Sequence, residues 1–239
     1  MDYDKLSGPD LDPELWSPAR IPLPSGEHVP LDPNAEVTVG EGEVRVRIPR
    51  FSLAHGELQS VDSPKYLIFS TRQFELPPDR PASFTAEMAV ENIGGEPEDY
   101  RRGMAAFQVF DLPTTKLVFS VCGTSTRVLA LYERLGLGGG GADAPFYYMI
   151  ESPYEDFRDD FSRFRECELT LDRGESTAAW RVDGQTIYEA RRATIPERVS
   201  LSFGIWTMLP IRDGRSQSNS GQGLDARWRR FRVRGIDAG

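Results

Sequence analysis

Residues 164–208 read FRECELTLDRGESTAAWRVDGQTIYEARRATIPERVSLSFGIWTM. Cys167, Leu169 and Leu171 alternate with Glu166, Glu168 and Thr170. That period of two marks a strand with one buried face. Trp180 and Val182 run into Asp183-Gly184, residues that tolerate the positive φ values of a tight hairpin turn. Thr186, Ile187 and Tyr188 lead away from the turn. After Pro196 a second alternation begins. Val199, Leu201, Phe203 and Ile205 point to one side, and Ser200, Ser202, Gly204 and Trp206 to the other. RWRRFRVRG at 227–235 closes the chain on Trp228, Phe231 and Val233.

The same period extends back through the chain. Val44, Val46 and Ile48 alternate with Arg45 and Arg47. Phe84, Ala86, Met88 and Val90 form one face of a strand, and Thr85, Glu87 and Glu91 the other. Strands are predicted over 66–76, 84–93, 103–111, 117–122, 127–133 and 146–151. No long stripe of period 3.6 occurs. Short strands separated by glycine and proline predict an all-β protein, an antiparallel β-sandwich. The chain of 239 residues is long enough for one large core. Residues 1–35 are proline-rich and short of periodic apolar residues. They predict an extended arm laid on the sandwich and anchored by Leu15 and Trp16. Residues 36–239 predict a single sandwich domain.

Composition narrows the function. A net charge of −9 opposes general binding to phosphate backbones, so no nucleic-acid partner is expected. No run approaches the ~20 apolar residues of a membrane span. The N-terminus lacks the basic start and apolar core of a secretory signal, so a cytoplasmic protein is expected. Lysine occurs only at 5, 65 and 116, against many arginines, a bias that high-GC coding produces, as in actinobacteria. Cys122 and Cys167 sit on apolar-patterned segments. They read as two buried thiols, with one disulfide as the alternative.

WRVDGQTIYE (180–189), SLSFGIWTM (200–208) and RWRRFRVRG (227–235), in that order, resemble the C-terminal half of the concanavalin A-like jelly roll. That superfamily includes family 16-type glucanases, lectins and laminin G-like modules. The resemblance implies a sandwich with a ligand-binding concave face. The glucanases carry Glu-x-Asp-x-(x)-Glu on one strand, where alternation aims the carboxylates at one glycosidic bond. The segments 117–122 (LVFSVC) and 127–133 (RVLALYE) lack that pattern.

The face opposite Phe203 and Ile205 is therefore the candidate site. Trp206 supplies aromatic area and a donor, and Ser202 is a small neighbour. The same alternation adds Gln108 and Phe110, then Tyr147 and Met149, as ligand-binding residues. Candidates for an assisting acid or hydrogen-bond donor are Glu151, Asp111, Tyr148 and Arg72. The mixture is aromatic, small and sparingly charged, which suits a partly apolar small molecule. The expectation is a non-hydrolytic enzyme of the cyclase or isomerase type in specialised metabolism. The indole-alkaloid cyclases resemble this fold class. A non-catalytic carbohydrate-binding module is the alternative, and a degenerate glycosidase ranks third. The oligomeric state stays open.

Other motifs carry less. Gly136 to Gly141 contains GxGxxG, but no helix follows to hold a pyrophosphate, so a loop beside the concave face is expected. His28 and His55 have no partner at zinc spacing. Glu151, Glu155, Asp156, Asp159 and Asp160 form an acidic run with the oxygen ligands that calcium takes. A solvated loop balanced by Arg158, Arg163 and Arg165 is the competing reading. No cofactor and no metal are expected, calcium excepted.

Overall fold

The computed structural model describes residues 1–23, 26–54, 63–136, 144–154, 161–213 and 215–236. In chain order the strands are β1 (Trp16–Pro18), β2 (Ile21–Leu23), β3 (Gly26–His28), β4 (Glu36–Gly40), β5 (Glu43–Ile48) and β6 (Tyr66–Glu75). Then come β7 (Ala82–Ile93), β8 (Met104–Asp111), β9 (Leu117–Gly123), β10 (Val128–Arg134), β11 (Phe146–Glu151) and β12 (Arg165–Asp172). The last are β13 (Thr177–Val182), β14 (Gln185–Arg191), β15 (Arg198–Trp206), β16 (Ile211–Arg212), β17 (Arg215–Ser216) and β18 (Gly223–Arg234). The fold is the concanavalin A-like jelly roll, with two antiparallel seven-stranded sheets packed face to face. The first sheet has the order β1-β6-β15-β8-β9-β10-β11, and the second β14-β13-β12-β7-β18-β5-β4.

The intersheet core is built by the alternation that the sequence carries. Cys167, Leu169 and Leu171 of β12 are buried between the sheets with Phe84 and Met88 of β7. Val199, Leu201, Phe203 and Ile205 of β15 meet them from the first sheet. Burying each such side chain contributes roughly 1.5–3 kcal/mol. The β13–β14 hairpin turns on Asp183 (φ 48°) and Gly184 (φ 77°), with Val182 opposite Gln185. Both positive φ values match a two-residue primed turn.

Trp228 and Phe231 are three residues apart, yet both are buried in the same core. Strict alternation would send one of them outward. A bulge between Arg229 and Arg232, with Arg230 at φ 56°, absorbs the extra residue. Phe231 and Val233 thereby return to the inner face.

The segment 1–18 closes the margin between β6 and β18. The Met1 amino group donates to the Val233 carbonyl (2.7 Å), and the Tyr3 amide donates to the Phe231 carbonyl (2.8 Å). Trp16 is 3% exposed and meets Phe203 and Phe231 edge-on, with centroids at 5.1 and 4.9 Å. Its indole N–H donates to Asp4 (2.7 Å), and β1 pairs with β6. Cys122 and Cys167 are both free and buried. Cys167 lies in the intersheet core and Cys122 on the far side of the first sheet, so the sheet itself separates the two thiols. Trp16→Ala removes the indole that joins both sheets. Urea unfolding is expected to show a loss of roughly 3–5 kcal/mol, and a loss under about 1 kcal/mol would show that the segment adds no core.

Candidate functional site

An antiparallel sheet commonly keeps one face dry and the other wet. Here β8 and β9 are buried at every residue. Ala105, Phe107 and Val109 face the intersheet core, whereas Met104, Ala106 and Phe110 join a second apolar cluster on the outer face. The register assembles that face. Gln108 lies opposite Ser202 on one side and Ser120 on the other. Leu131 continues the row to Met149. In the next row Phe110 lies opposite Val118, which pairs with Glu133, which pairs with Tyr147.

Side chains from the margins roof this floor. Trp206 pairs with Met104, six residues from Phe110 along β8, a backbone distance of about 20 Å. Their rings nevertheless lie 6.4 Å apart and nearly parallel (19°), so the two lean toward each other over the floor. The Tyr147 hydroxyl donates to Met208 Sδ at 3.2 Å. What remains is a cleft with about 30 Å³ open to a water-sized molecule. Gly204 belongs to this floor for a steric reason. A Cβ there would stand 2.4 Å from the Tyr66 carbonyl oxygen.

The polar groups under the roof are few and incompletely paired. Gln108 (1% exposed) donates through Nε2 to Ser120 Oγ at 2.8 Å, while its Oε1 has no partner. Ser202 (0% exposed) also has an unpaired Oγ. An unmade hydrogen bond at a buried polar atom costs about 1–3 kcal/mol. Trp206 Nε1 is unpaired too. It carries less weight, because the core indoles Trp180 and Trp228 share that condition. Glu133 lines the same cleft, and burial raises its carboxyl from the usual 4.5 to about 7. Burial, then the nearby Glu133, pushes the Cys122 thiol up. Burial, with Tyr100, Cys122 and Glu133 adding to it, pushes the Tyr147 phenol up.

Of the residues selected from sequence, Trp206, Gln108, Phe110 and Ser202 come together on this face, with Tyr147 and Met149 at its β11 side. Glu151 is on β11 too, but opposite Leu129, at the other end from Glu133, and is salt-bridged to Arg127. The other three lie elsewhere. Asp111 has the parity of Phe107 and Val109, and its carboxylate accepts from the Thr114 and Thr115 amides and the Thr115 hydroxyl, as a turn cap. Tyr148 projects from the opposite side of β11 beside Phe146 and Tyr132. Arg72 lies over the Phe74 ring, 5.2 Å from its centroid, beside Glu75 and Pro77. Among the described residues, none of the N-terminal arm lines the cleft.

Sequence reasoning passed over Glu133, Ser120 and Leu131. The signal was present in the alternation Leu129, Leu131, Glu133, which ends on a carboxylate. His28 is buried in the β2–β3 hairpin and does not line the cleft. His55, the glycine run from 137 onward and residues 155–160 lie outside the described residues. Among the described residues, no three of His, Cys, Asp and Glu gather as metal ligands.

Comparison with known proteins adds fold and family. One family model, described as a family of unknown function (DUF6081), matches residues 13–236. No curated protein sequence matches significantly. Among solved structures, a β-1,3-1,4-glucanase (lichenase) from a mouse hindgut metagenome superposes with a TM-score of 0.58 at 15% identity, covering 94% of each chain. The Bacillus licheniformis β-glucanase gives 0.56 at 14% identity, again over 94% of each chain. An endo-1,3-β-glucanase from Streptomyces sioyaensis gives 0.55 at 13%, over 95% of this chain and 94% of its own. At such identities the likeness is one of fold.

The Glu133 carboxyl makes stability depend on pH. Between about 4.5 and 7 it stays protonated in the folded protein and ionises in the unfolded chain. The native state then holds more protons, so stability falls as pH rises through that window and levels off above it. Glu133→Gln keeps the shape and removes the ionisation. Urea unfolding is expected to find the variant more stable than the parent at pH 8, by about 2–3 kcal/mol, and equal to it near pH 4. A difference that does not change with pH would mean that the carboxylate is hydrated.

Proposed function

As the chain belongs to the DUF6081 family, whose description offers no activity to inherit, we propose from its own cleft that it binds a small, partly apolar molecule and moves a proton on it through Glu133. This makes it a non-hydrolytic enzyme of the isomerase or cyclase type. The observation that carries the reading is one carboxyl raised to about 7 beneath an aromatic roof. A group with that proton affinity populates both acid and base forms at neutral pH, where general acid–base catalysis is most effective. The roof excludes water and holds a bound molecule in few conformers.

Hydrolysis of a glycosidic bond requires a different arrangement. Glycosidases place two carboxyls about 5–10 Å apart across the bond. Glu133 and Glu151, on this face, belong to rows four residues apart on β10, about 13 Å along the strand, and Glu75 lies across the sheet on β6, paired with Arg198. Glu151 is also held by Arg127. A non-catalytic sugar-binding role would draw on Trp206 and Tyr147 as platforms, yet sugars need many polar contacts and this floor offers few.

The test is proton exchange into carbon acids. With 2-indanone and 2-tetralone in D₂O, NMR should show α-deuteration faster with the protein than without it. Glu133→Gln should lose about 100-fold of that acceleration. Barley β-glucan and laminarin should yield no new reducing ends. Reducing-end release, or exchange unchanged by the protein, would overturn the reading.

A further inference from the structure

A second space opens at the margin of the sandwich, between the sheets rather than on the outer face that carries Glu133. We infer that the slot between β1 and β4 is a separate binding site. Its ligand is a neutral, compact hydrocarbon skeleton of about ten carbons, with one oxygen that accepts from the Tyr66 hydroxyl. The slot shares no lining residue with the Glu133 cleft, so the inference does not rest on the acid–base reading.

The first observation is space where the strand pattern calls for a dry interior. Val37 lies opposite Val46, and Val39 opposite Val44. The two β4 side chains therefore share the inner face with two fully buried core valines. Val37 is nevertheless 41% exposed. The first sheet ends at this margin on β1, three residues that stop at Pro18, and the second on the five residues of β4. The shorter edge strand leaves part of the longer one uncovered. The slot between them measures about 330 Å³. That lies at the lower end of small-molecule sites, and an apolar cavity of about 150 Å³ already takes benzene.

The second is a single polar group in that space. Tyr66 and Ile68 share the inner face of β6, and both line the slot. Tyr66 is only 5% exposed, and among the described residues its hydroxyl has no hydrogen-bond partner. Burial alone raises the phenol to about 12, so it stays a neutral donor at physiological pH. A molecule that displaces water from the slot must replace the hydrogen bond that water makes there. A plain hydrocarbon leaves the phenol unpaired, and one oxygen on the ligand restores the bond.

The third is the character of the walls. Leu11, Pro13, Pro18 and Leu31 join the two valines as apolar lining, and the prolines lose no side-chain entropy when a ligand covers them. Among the described residues, no Lys or Arg lines the slot, and Asp10 is its one carboxylate. An anion would lose hydration with no counter-ion to replace it. A cation would meet only the exposed Asp10, and a solvated pair of that kind contributes little. Because the lining comes from the N-terminal segment and from both sheets, an occupant fastens that segment down and stabilises the fold.

Calorimetry and thermal unfolding with menthone and decanoate test this. The parent is expected to bind menthone, with a rise in melting temperature, and to bind decanoate about 10-fold or more weakly. Tyr66→Phe keeps the ring and removes the hydroxyl, and should weaken menthone roughly 5–10-fold. Val37→Trp, at a position already exposed, should fill the slot and abolish binding while keeping a parent-like melting temperature without ligand. Glu133→Gln should bind menthone as the parent does. No menthone binding at millimolar concentration, equal affinity for decanoate, or affinity unchanged in either slot variant would overturn the inference. Loss of menthone binding in Glu133→Gln would overturn it too, since the ligand would then sit in the cleft. Proton exchange by Glu133 is read separately, so each reading can fail without the other.

Discussion

The structure depends on keeping both faces of β8 and β9 dry. A sheet in a sandwich needs one apolar face, and the other is ordinarily left to water. These strands have lost that freedom. Phe107, Val109, Phe119 and Val121 fill the intersheet side, while Ala106, Gln108, Val118, Ser120 and Cys122 lie under a roof on the other. Covering the floor removes apolar surface from water, which stabilises the protein by roughly 25 cal/mol per Å². The same cover strands Gln108 Oε1 and Ser202 Oγ and suppresses ionisation of Glu133. A stability-optimised sheet would place apolar side chains at those positions. Local costs of this kind concentrate at functional sites.

The outer face of the second sheet shows what the ordinary solution looks like. Arg45 pairs with Asp225, Arg229 and Arg230 pair with Glu87, and Arg181 reaches Glu168. The Arg229 guanidinium also lies 3.9 Å from the Phe164 ring centroid. Partly solvated pairs of this kind contribute little each, but they keep the face soluble and ordered. The two sheets thus share one core and differ in their outer chemistry, one solvated and charged throughout, the other enclosed over β8 and β9. That asymmetry locates the cleft without reference to any relative.

Much of this was legible in the residues. The predicted strands 84–93, 117–122, 127–133 and 146–151 correspond to β7, β9, β10 and β11 within two residues. Trp206, Gln108 and Phe110 could be assigned to one outer face because strand parity is local: each Cβ alternates sides regardless of what packs against it. Short strands in the arm, β1 to β3, were less legible, since their pairing is decided by partners such as Ser70 rather than by their own pattern. The carboxyl candidates read differently for a related reason. Asp111 follows a buried strand and reads as a candidate acid until the turn that it caps is visible. Glu133 sits at the end of an apolar strand and reads as a solvated terminus until its surroundings are known.

By itself, the sequence determined the alternation, hence the sandwich, the inner set of side chains and the parity of the outer set. It also determined that no glucanase-type row of carboxylates stands on 117–122 or 127–133. Tertiary structure alone decided which outer face stays dry. The roof is assembled from Phe110, Trp206, Tyr147 and Met208, residues scattered over about a hundred positions of chain and brought together by the strand order β15-β8-β9-β10-β11. Desolvation depends on every atom around a group, and those atoms come from strands distant in sequence. The proton affinity of Glu133 and the unpaired state of Gln108 and Ser202 are therefore properties of the packed sheet.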